Sequence, residues 1–212
     1  MILPPDFYAR PTLDVAGDLI GKVLVHRTRD GTTAGIIVEV EAYIGEDDPA
    51  CHAAAGRTER NAPLYGPAGR AYVYLNYGLH DMVNAVTEGE GHPSAVLIRA
   101  LDPLEGLPLM RRRRARAPWR TGKAPVANPD LCRGPGNLTR AMGITLADNL
   151  RALSRGPQTI HDRGLAVGGL GSGIGKQGPG AVRWGPRIGI RVGLDRHWRA
   201  AVAGHRSVSG RK

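Results

Sequence analysis

The sequence predicts an α+β protein in which a curved, mostly antiparallel β-sheet is flanked by helices, within a single domain over residues 1–212. Short runs of β-branched residues separated by turn residues indicate consecutive antiparallel strands. Apolar residues at helical spacing near the start of the chain indicate a flanking helix. The composition shows no break, and 212 residues suffice for one sizeable core.

The chain opens with a predicted helix and a predicted hairpin. Apolar side chains recur at helical spacing over residues 12–20, with Thr12 placed to cap the helix and Gly21 to end it. Two segments rich in β-branched residues then flank a favoured turn pair. The predicted hairpin consists of a strand over residues 23–25, a turn at Asp30-Gly31 and a strand over residues 34–43.

The later elements alternate with segments that lack periodicity. A long loop is predicted over residues 45–69, and long loops in compact domains are often functional. Further exposed loops are expected over about 116–130 and 168–180. The other predicted elements are strands over residues 71–75, 80–87 and 94–101, a helix that Pro103 opens, and a helix over residues 137–142 capped by Gly143.

The chain is strongly basic, with a formal net charge of +10 and a pI near 10.3. Clustered cations favour a polyanionic partner, because phosphate contacts release counterions. An arginine-rich chain can also reflect genome base composition. Nucleic acid is nevertheless the first class of partner that the charge predicts.

The sequence shows no pattern for a metal site, a disulfide framework or export. Cys51 and Cys132 are far apart, so neither a disulfide framework nor a zinc-binding spacing is indicated. The start lacks a signal-peptide pattern, and no apolar stretch approaches the roughly 18 residues of a membrane span. We therefore expect a cytoplasmic, nucleoid-associated monomer with no metal, no cofactor and no membrane partner.

The candidate chemistry begins on the strand predicted over residues 34–43. A strand period of two places Glu39, Glu41 and Tyr43 on one face and apolar residues on the other. This pattern by itself is also typical of an ordinary strand with a solvated polar face. Two residues along a strand lie roughly 7 Å apart, a spacing that would permit the carboxylate pair of an inverting glycosidase.

Side chains of the kinds that handle a nucleobase follow this strand. They are His52 in the next loop, Tyr72 and Tyr74 on one face of a strand, Tyr77 at the end of that strand, and Asn84 on the strand after it. Aromatic faces stack on an extruded base, and His or Asn side chains can read its edges. Each residue alone has an ordinary structural alternative, so only the combination predicts a base-binding pocket.

Five motifs stand out: LIGKVLVHR at residues 19–27, IIVEVEAYIGEDDPACHA at 36–53, GRAYVYLNYGLHDMVNAV at 69–86, AVLIRALDPLEG at 95–106 and LCRGPGNLTRAMGI at 131–144. With these motifs the chain resembles the alkyladenine (3-methyladenine) DNA glycosylase family, as a bacterial member, over most of its length. A weaker match continues into the C-terminal VAGHRSVSG. The resemblance implies a fold like that of a tRNA formyltransferase C-terminal domain.

The resemblance also implies a base-excision-repair enzyme that flips alkylated or deaminated purines out of duplex DNA and hydrolyses their glycosidic bond. Within it, Glu41 is the general base that activates water, a role that suits an oxocarbenium-like transition state. Arg99 and the carbonyl of Val208 are implied to help hold that water. Glu39 is left as a structural or supporting group.

The resemblance assigns the base pocket and the DNA contacts as well. Tyr43, His52 and Tyr74 are implied to sandwich and hydrogen-bond the flipped base, and Asn84 to exclude normal guanine. Tyr77 matches the residue that fills the vacated stack. Arg57 and Arg60 match positions that contact the DNA backbone. The alternative for both is an ordinary solvated loop.

The expected substrates are 3-methyladenine, 7-methylguanine, hypoxanthine and ethenoadenine in duplex DNA, released without a lyase step because the pocket motifs contain no lysine. A non-catalytic binding module is the alternative, and it has no need of the Glu41 carboxylate. An RNA-linked role rests on fold likeness alone.

Several other positions have ordinary alternatives or depart from the family pattern. For the arginine run at 111–114 a solvated helix end is favoured over a DNA-binding stripe. Gly134-Pro135-Gly136 is interpreted either as phosphate-binding backbone or as a tight turn. The departures, which put substrate breadth and rate in doubt, are Glu59, Leu64-Tyr65 and Ala200-Ala201.

Overall fold

The computed structural model describes residues 1–118, 124–163 and 181–210, and the strands in this part of the chain form one sheet with antiparallel pairings. The predicted α+β class is confirmed. The strands are β1 (Val23–Thr28), β2 (Gly31–Ile44), β3 (Ala71–Asn76), β4 (His80–Val86), β5 (Ser94–Glu105), β6 (Gln158–His161), β7 (Val182–Gly185) and β8 (Arg199–Val202). The α-helices are α1 (Pro5–Tyr8), α2 (Thr12–Leu19), α3 (Leu107–Ala115) and α4 (Pro135–Met142).

The long strand β2 organises the sheet. The strand order is β3-β4-β5-β2-β1-β6, and β8 pairs with both β2 and β7. β5 follows one edge of β2 over almost its whole length, while β1 pairs with residues 31–36 and β8 with residues 39–41. The segment of β2 that carries both candidate carboxylates is therefore hydrogen-bonded on both edges.

The pairing of β2 with β5 is irregular where the candidate site lies. The register shifts on both sides of Glu39, which lies opposite Ala100. These shifts leave Val38 on β2 and Arg99 on β5 without a directly opposed residue. Bulges of this kind bend a strand and redirect side chains, and they are common beside active sites. Here Arg99 reaches the carboxylates of Glu39 and Glu41.

The opposite face of β2 lies in the hydrophobic core, as its period-two pattern predicts. Ile36, Val38, Val40 and Ala42 are all buried. Helices α2 and α4 pack on the sheet and close this core. Their core side chains include Val15, Leu19, Leu138 and Met142.

Helix α2 lies where the sequence predicts it, but Thr12 is not its cap. The capping position is occupied by Pro11, and Thr12 is the first helical residue. The Thr12 hydroxyl instead bonds Thr87 Oγ1 at 2.9 Å and the carboxylate of Glu88. The Thr12 hydroxyl, which the local pattern predicts as the helix cap, therefore contacts residues far away in the sequence.

The first hairpin is confirmed, although its turn is shifted by one residue. Thr28 pairs with Gly31, so the two turn residues are Arg29 and Asp30. Gly31 already belongs to β2.

Pro103 does not open a helix, because β5 continues to Glu105. Pro103 lies opposite Gly35, in a stretch of β5 that pairs with β2 alone, and proline is tolerated on such an edge. The residue after Glu105 is Gly106, whose φ of 76° and closeness to the Thr32 carbonyl exclude a side chain. Helix α3 follows directly.

The arginine run at 111–114 forms part of α3 and is only partly solvated. Arg111 and Arg112 are exposed, in agreement with the predicted solvated end. Arg114 is buried, and Arg113 donates to the carbonyls of Ala141 and Met142 at the end of α4. Helix packing explains this difference, since α3 and α4 lie against each other.

Helix α4 and its Gly143 cap are confirmed, with the helix beginning two residues earlier than predicted, at Pro135. The strands β6, β7 and β8 were not predicted, because each spans four residues without clear alternation. The loop predicted over residues 168–180 lies outside the described residues, as do residues 119–123 of the other predicted loop. No helix in the described part of the chain is long and apolar enough to cross a membrane.

Candidate active site

One row of opposed residues crosses four neighbouring strands and carries much of the candidate site. Glu41 on β2 lies opposite Leu97 on β5, Leu97 lies opposite Asn84 on β4, and Asn84 lies opposite Tyr72 on β3. Directly opposed residues of antiparallel strands share a face of the sheet. Sheet pairing therefore gathers side chains that are far apart in the sequence.

Glu41 is fully buried and is held by three donors. Its Oε2 accepts hydrogen bonds from Tyr43 Oη at 2.9 Å and from Arg99 Nη1 at 3.0 Å. Its Oε1 accepts one from the backbone N–H of Ile188 at 2.7 Å. A buried carboxylate is costly unless it is paired in this way, and the three donors fix the orientation of Glu41.

Glu39 forms a second charged cluster beside Glu41. Its carboxylate accepts bonds from Arg99 Nε at 3.2 Å and from Arg199 Nη1 at 3.1 Å. It also accepts bonds from the backbone N–H and the hydroxyl of Ser209, at 2.7 and 2.9 Å. Arg99 thus bridges the two carboxylates, and Glu39 ties the C-terminal segment to β2. Although burial lowers the pKa of Arg99, the charges of Glu41 and Glu39 outweigh that effect and raise it.

A cavity of about 390 Å3 opens beside Glu41, within the range of roughly 300–1,000 Å3 typical of small-molecule sites. Glu41 itself has no exposed surface and lies immediately behind the wall that Tyr43, Arg99 and Ile188 form. Seven of the candidate catalytic and base-handling residues line this cavity: Tyr43, His52, Tyr72, Tyr74, Tyr77, Asn84 and Arg99.

The aromatic wall of the cavity is a packed cluster rather than a set of isolated rings. The His52 and Tyr74 ring centroids lie 4.4 Å apart, and those of Tyr72 and Tyr74 lie 5.3 Å apart. His52 Nδ1 shares a hydrogen bond of 2.9 Å with Tyr72 Oη. The sequence predicts Tyr72 beside Tyr74 among the base-handling side chains, but this hydrogen bond to His52 could not be read from it.

The cluster favours neutral forms of its titratable groups. Burial, and to a smaller extent the charge of Arg60, lowers the pKa of His52. Burial raises the pKa of Tyr74 to about 12, and burial followed by the charge of Glu41 raises that of Tyr43. At neutral pH this wall therefore consists of neutral rings with fixed hydrogen-bonding groups.

Asn84 is buried on the floor of the cavity, and its amide donates to the carbonyl of Tyr72 at 2.9 Å. This bond fixes the rotation of the side chain.

The long loop over residues 45–69 is ordered by two polar centres. Asn61 donates to the carbonyls of His52 and Gly56, both at 2.8 Å, and so shapes the turn that presents His52. Asp48 is fully buried and forms a paired contact with Arg187. Because Arg187 hydrogen bonds outweigh the effect of burial, the pKa of Asp48 is lowered.

Arg187 joins this loop to the C-terminal segment and was not found by sequence analysis. Besides Asp48, it bonds the carbonyl of Ala42 at 3.0 Å and lies over the rings of Tyr43 and Trp198, at 4.7 and 5.2 Å. The next residue, Ile188, donates to Glu41 and lines the cavity. A stretch that carried only a weak family match therefore completes the surroundings of Glu41.

Tyr77 lies at the tip of the hairpin between β3 and β4, with its side chain 85% exposed. Its φ of 50° is in the left-handed region, which is uncommon for a bulky residue. Strained positions of this kind concentrate at functional sites.

Arg57 and Arg60 are exposed and do not line the cavity. Arg57 lies over the ring of Tyr65 at 5.4 Å. Arg60 donates to the carbonyl of Leu75 at 3.2 Å and lies 5.8 Å from the ring centroid of Tyr74. Arg60 therefore lies near the tip of the hairpin, close to Tyr77.

The Val208 carbonyl lies outside the cavity lining and accepts a bond from Arg133 Nε at 3.1 Å. Its neighbour Ser209 contacts Glu39, so this segment is close to the site without reaching the cavity.

Pro135 of the predicted Gly134-Pro135-Gly136 turn lines the cavity. Among the departures from the family pattern, Leu64 lines the cavity, Tyr65 bonds Glu46, Glu59 is exposed, and Ala200 and Ala201 pair with β2.

Comparison with known proteins gives a consistent result. The family model of methylpurine-DNA glycosylase matches residues 6–206. A protein of Burkholderia lata is 46% identical over 99% of this chain and 91% of its own length, and one of Chlorobium phaeobacteroides is 44% identical over 99% and 96%. A protein of Rubrobacter xylanophilus is 47% identical over 89% of this chain and 87% of its own. All three are provisionally named 3-methyladenine DNA glycosylases. The chain therefore belongs to the methylpurine-DNA glycosylase family and is a DNA glycosylase.

Proposed function

We propose that this glycosylase flips alkylated or deaminated purines out of duplex DNA and hydrolyses their glycosidic bond, with Glu41 as general base. One observation carries the proposal: a buried carboxylate, oriented by three donors, lies directly behind a cavity walled by Tyr43, His52 and Tyr74. A binding module does not need a carboxylate beside the base pocket, because burying an ion costs several kcal/mol that its partners must offset.

The proposed reaction is a displacement by water at C1′ of the damaged nucleotide. The C1′–N bond breaks with its electron pair leaving on the base, the water oxygen bonds C1′, and Glu41 accepts the water proton. The carboxylate also stabilises the positive charge that develops on the sugar. Because Glu41 has no exposed surface, water reaches it only after a shift of Tyr43, Arg99 or Ile188. Arg99 is proposed to hold that water, and the Val208 carbonyl would join it only after leaving its bond to Arg133.

Base recognition is assigned to the ring cluster and to Asn84. Tyr43, His52 and Tyr74 would pack on the flipped base, and stacking of this kind contributes about 1–3 kcal/mol per base. Asn84 is proposed to exclude normal guanine by crowding its exocyclic amine. The bond from Asn84 to the Tyr72 carbonyl prevents the side chain from swinging aside, which supports this role.

The cavity favours bases that need no proton in order to leave. A 3-methyladenine or 7-methylguanine base is cationic in the nucleotide and departs neutral, whereas hypoxanthine and ethenoadenine benefit from an acid. The pKa of His52 is lowered and those of Tyr43 and Tyr74 are raised, so none of these three is a ready proton donor at neutral pH. We therefore expect faster release of cationic lesions than of hypoxanthine or ethenoadenine.

Tyr77 is proposed to fill the stack that the flipped base leaves, with Arg57 and Arg60 on the DNA backbone beside it. No lysine is among the described residues that line the cavity, which supports a monofunctional enzyme that leaves an abasic site. We propose that it acts as a monomer.

The test is Glu41→Gln, which keeps the shape of the side chain and removes its basicity. We expect release of 7-methylguanine under single-turnover conditions to fall by about 10²–10⁴-fold, the usual contribution of a general base. Binding to the alkylated duplex should persist, which would show that the variant folds. The wild-type product should be an intact strand with an abasic site until alkali is added.

Glu46→Gln is the matched control, because Glu46 is an exposed glutamate of the neighbouring loop that bonds Tyr65. Its rate of release should equal that of the wild type. Undiminished release by Glu41→Gln would remove Glu41 as the base, and strand cleavage by the wild-type protein without alkali would exclude a monofunctional enzyme.

A further inference from the structure

A second cavity, of about 310 Å3, lies away from the candidate active site and is lined by arginine. It is bounded by the C-terminal ends of α3 and α4 and by Leu79, which follows the tip of the β3–β4 hairpin. Four guanidinium groups and two carboxylates line it: Arg112, Arg113, Arg116, Arg140, Asp30 and Asp81.

Two of these arginines neutralise the helix ends. Arg113 donates to the carbonyl of Met142 at 2.8 Å, and Arg140 donates to the carbonyls of Arg113 and Arg116 at 3.2 and 2.7 Å. Each helix thus contributes a guanidinium that caps the other. Helix carboxyl ends by themselves repel anions, so this mutual capping removes a barrier that an anionic ligand would otherwise meet.

The other two arginines remain available to a ligand. Arg112 and Arg116 are exposed, and neither guanidinium has a hydrogen bond or ion pair with a residue in the described ranges. The Asp30 carboxylate is exposed and lies 3.8 Å from Arg113, so its ion pair is with an arginine that already caps a helix end.

The position of the cavity relative to Tyr77 indicates its ligand. Arg60 bonds the carbonyl of Leu75 on the β3 limb of the hairpin, whereas the arginine cavity adjoins Leu79 and Asp81 on the β4 limb. A side chain inserted into the minor groove has a phosphate backbone on each side, about 6 Å apart across the groove. Cations on both limbs of the hairpin match that pattern of charge.

We infer that the arginine cavity is a second DNA contact site, in which Arg112 and Arg116 bind backbone phosphates of the strand on the β4 side of the hairpin. Arg57 and Arg60 would contact the other backbone. The inference relies on the proposed insertion of Tyr77 for its geometry, but it concerns binding rather than base release.

The experiment measures equilibrium binding of the full chain to an undamaged duplex of about two helical turns, over a range of salt concentrations. Each lost phosphate contact reduces the slope of log K against log [salt] by about 0.9. We expect the Arg112→Ala/Arg116→Ala double variant to lose close to two contacts and to bind about tenfold more weakly at moderate salt. This measurement does not depend on base release, so a failure of the catalytic proposal would be seen separately, in the release assay with the wild-type protein.

Arg111→Ala is the matched control, because Arg111 is exposed on the same helix but bonds Asn128 and does not line the cavity. It should retain the wild-type slope. Neutral methylphosphonates placed one at a time along both strands should weaken wild-type binding at particular phosphates and leave the double variant insensitive at those positions. A double variant with the wild-type slope, or with the wild-type methylphosphonate pattern, would overturn the inference and leave these arginines as a solvated helix end.

Discussion

At the scale of single residues, charge pairing dominates the candidate site. Glu39 and Glu41 are both without exposed surface, and Arg99 bridges them while Arg199 adds a second cation. Removing one member of such a group leaves another buried and unpaired, which costs about 3–5 kcal/mol. The partners of Glu41 all line the cavity, whereas of the partners of Glu39 only Arg99 does, which favours Glu39 as a support for Arg99.

Tyr77, unlike the buried charged residues, contributes little to the stability of the fold. It is exposed and adopts a φ of 50°, so its side chain gains little packing while its backbone is strained. We predict that Tyr77→Gly leaves the melting temperature unchanged or raises it, because glycine adopts this conformation without steric cost. Release of 7-methylguanine from duplex should fall at least about tenfold, since the stack vacated by the base is no longer filled.

Two comparisons separate this role from a structural one. Tyr77→Phe should retain release from duplex, because filling a stack needs the ring and not the hydroxyl. Single-stranded substrate should be processed equally by Tyr77→Gly and the wild type, as no duplex has to be opened. Loss of activity on both substrates would contradict the assignment.

At the scale of elements, the period-two pattern of β2 was enough to predict which face carries Glu41 and which lies in the core. The position of Arg99 was predicted only through the family motif, because it depends on register shifts between β2 and β5. The contacts of Asp48 and Ile188 join β2 and its loop to the C-terminal segment, between residues that are 139 and 147 positions apart in the sequence. No local pattern encodes such pairings.

The Asp48–Arg187 pair holds that segment in place. Because the pair is fully buried, Asp48→Asn leaves Arg187 with an unpaired charge, and we predict a loss of about 3–5 kcal/mol in the free energy of unfolding. Base release should slow as well, since Ile188 next to Arg187 orients Glu41. Urea unfolding and single-turnover release measure the two effects.

Asp47→Asn is the control, as the Asp47 side chain is exposed one residue away, and it should change stability by less than about 0.5 kcal/mol. Adding Arg187→Met to Asp48→Asn should recover part of the lost stability, because the unpaired charge is removed. Strictly additive losses in the double variant would mean that the two residues do not act as a pair.

At the scale of the whole molecule, the sheet assembles the site and the surface supplies the charge. The row from Glu41 to Tyr72 crosses four strands, and residues from the loop at 45–69 and from the C-terminal segment close around it. The net charge of +10 predicted a polyanionic partner from composition alone, and membership of a DNA glycosylase family agrees with it. Which arginines contact DNA depends on packing, since Arg113 and Arg140 are committed to helix ends.

Packing of these charges also sets how stability depends on pH. The pKa of His52 and that of His161 are lowered, chiefly by burial, so the folded state binds fewer protons than the unfolded state as pH falls through the ordinary histidine value of 6.5. As pH falls, the free energy of unfolding should therefore decline near the ordinary histidine value and then level off. Asp81 has a raised pKa and acts in the opposite direction near its ordinary value of 3.8.

A second decline is expected at lower pH. Arg187 lowers the pKa of Asp48 against the effect of burial, and His26 with the Thr145 backbone does the same for Asp148. A carboxyl whose folded pKa is depressed contributes stability that is present above its unfolded value of 3.8 and is lost as pH falls through the folded pKa.

Urea unfolding midpoints, measured from about pH 7.5 down to about pH 3, should thus fall in two steps. Asp48→Asn should start from a lower midpoint and show a smaller second step, while Asp47→Asn should keep the wild-type profile. A second step of full size in Asp48→Asn would place the acid sensitivity outside the pair that fastens the C-terminal segment to Glu41.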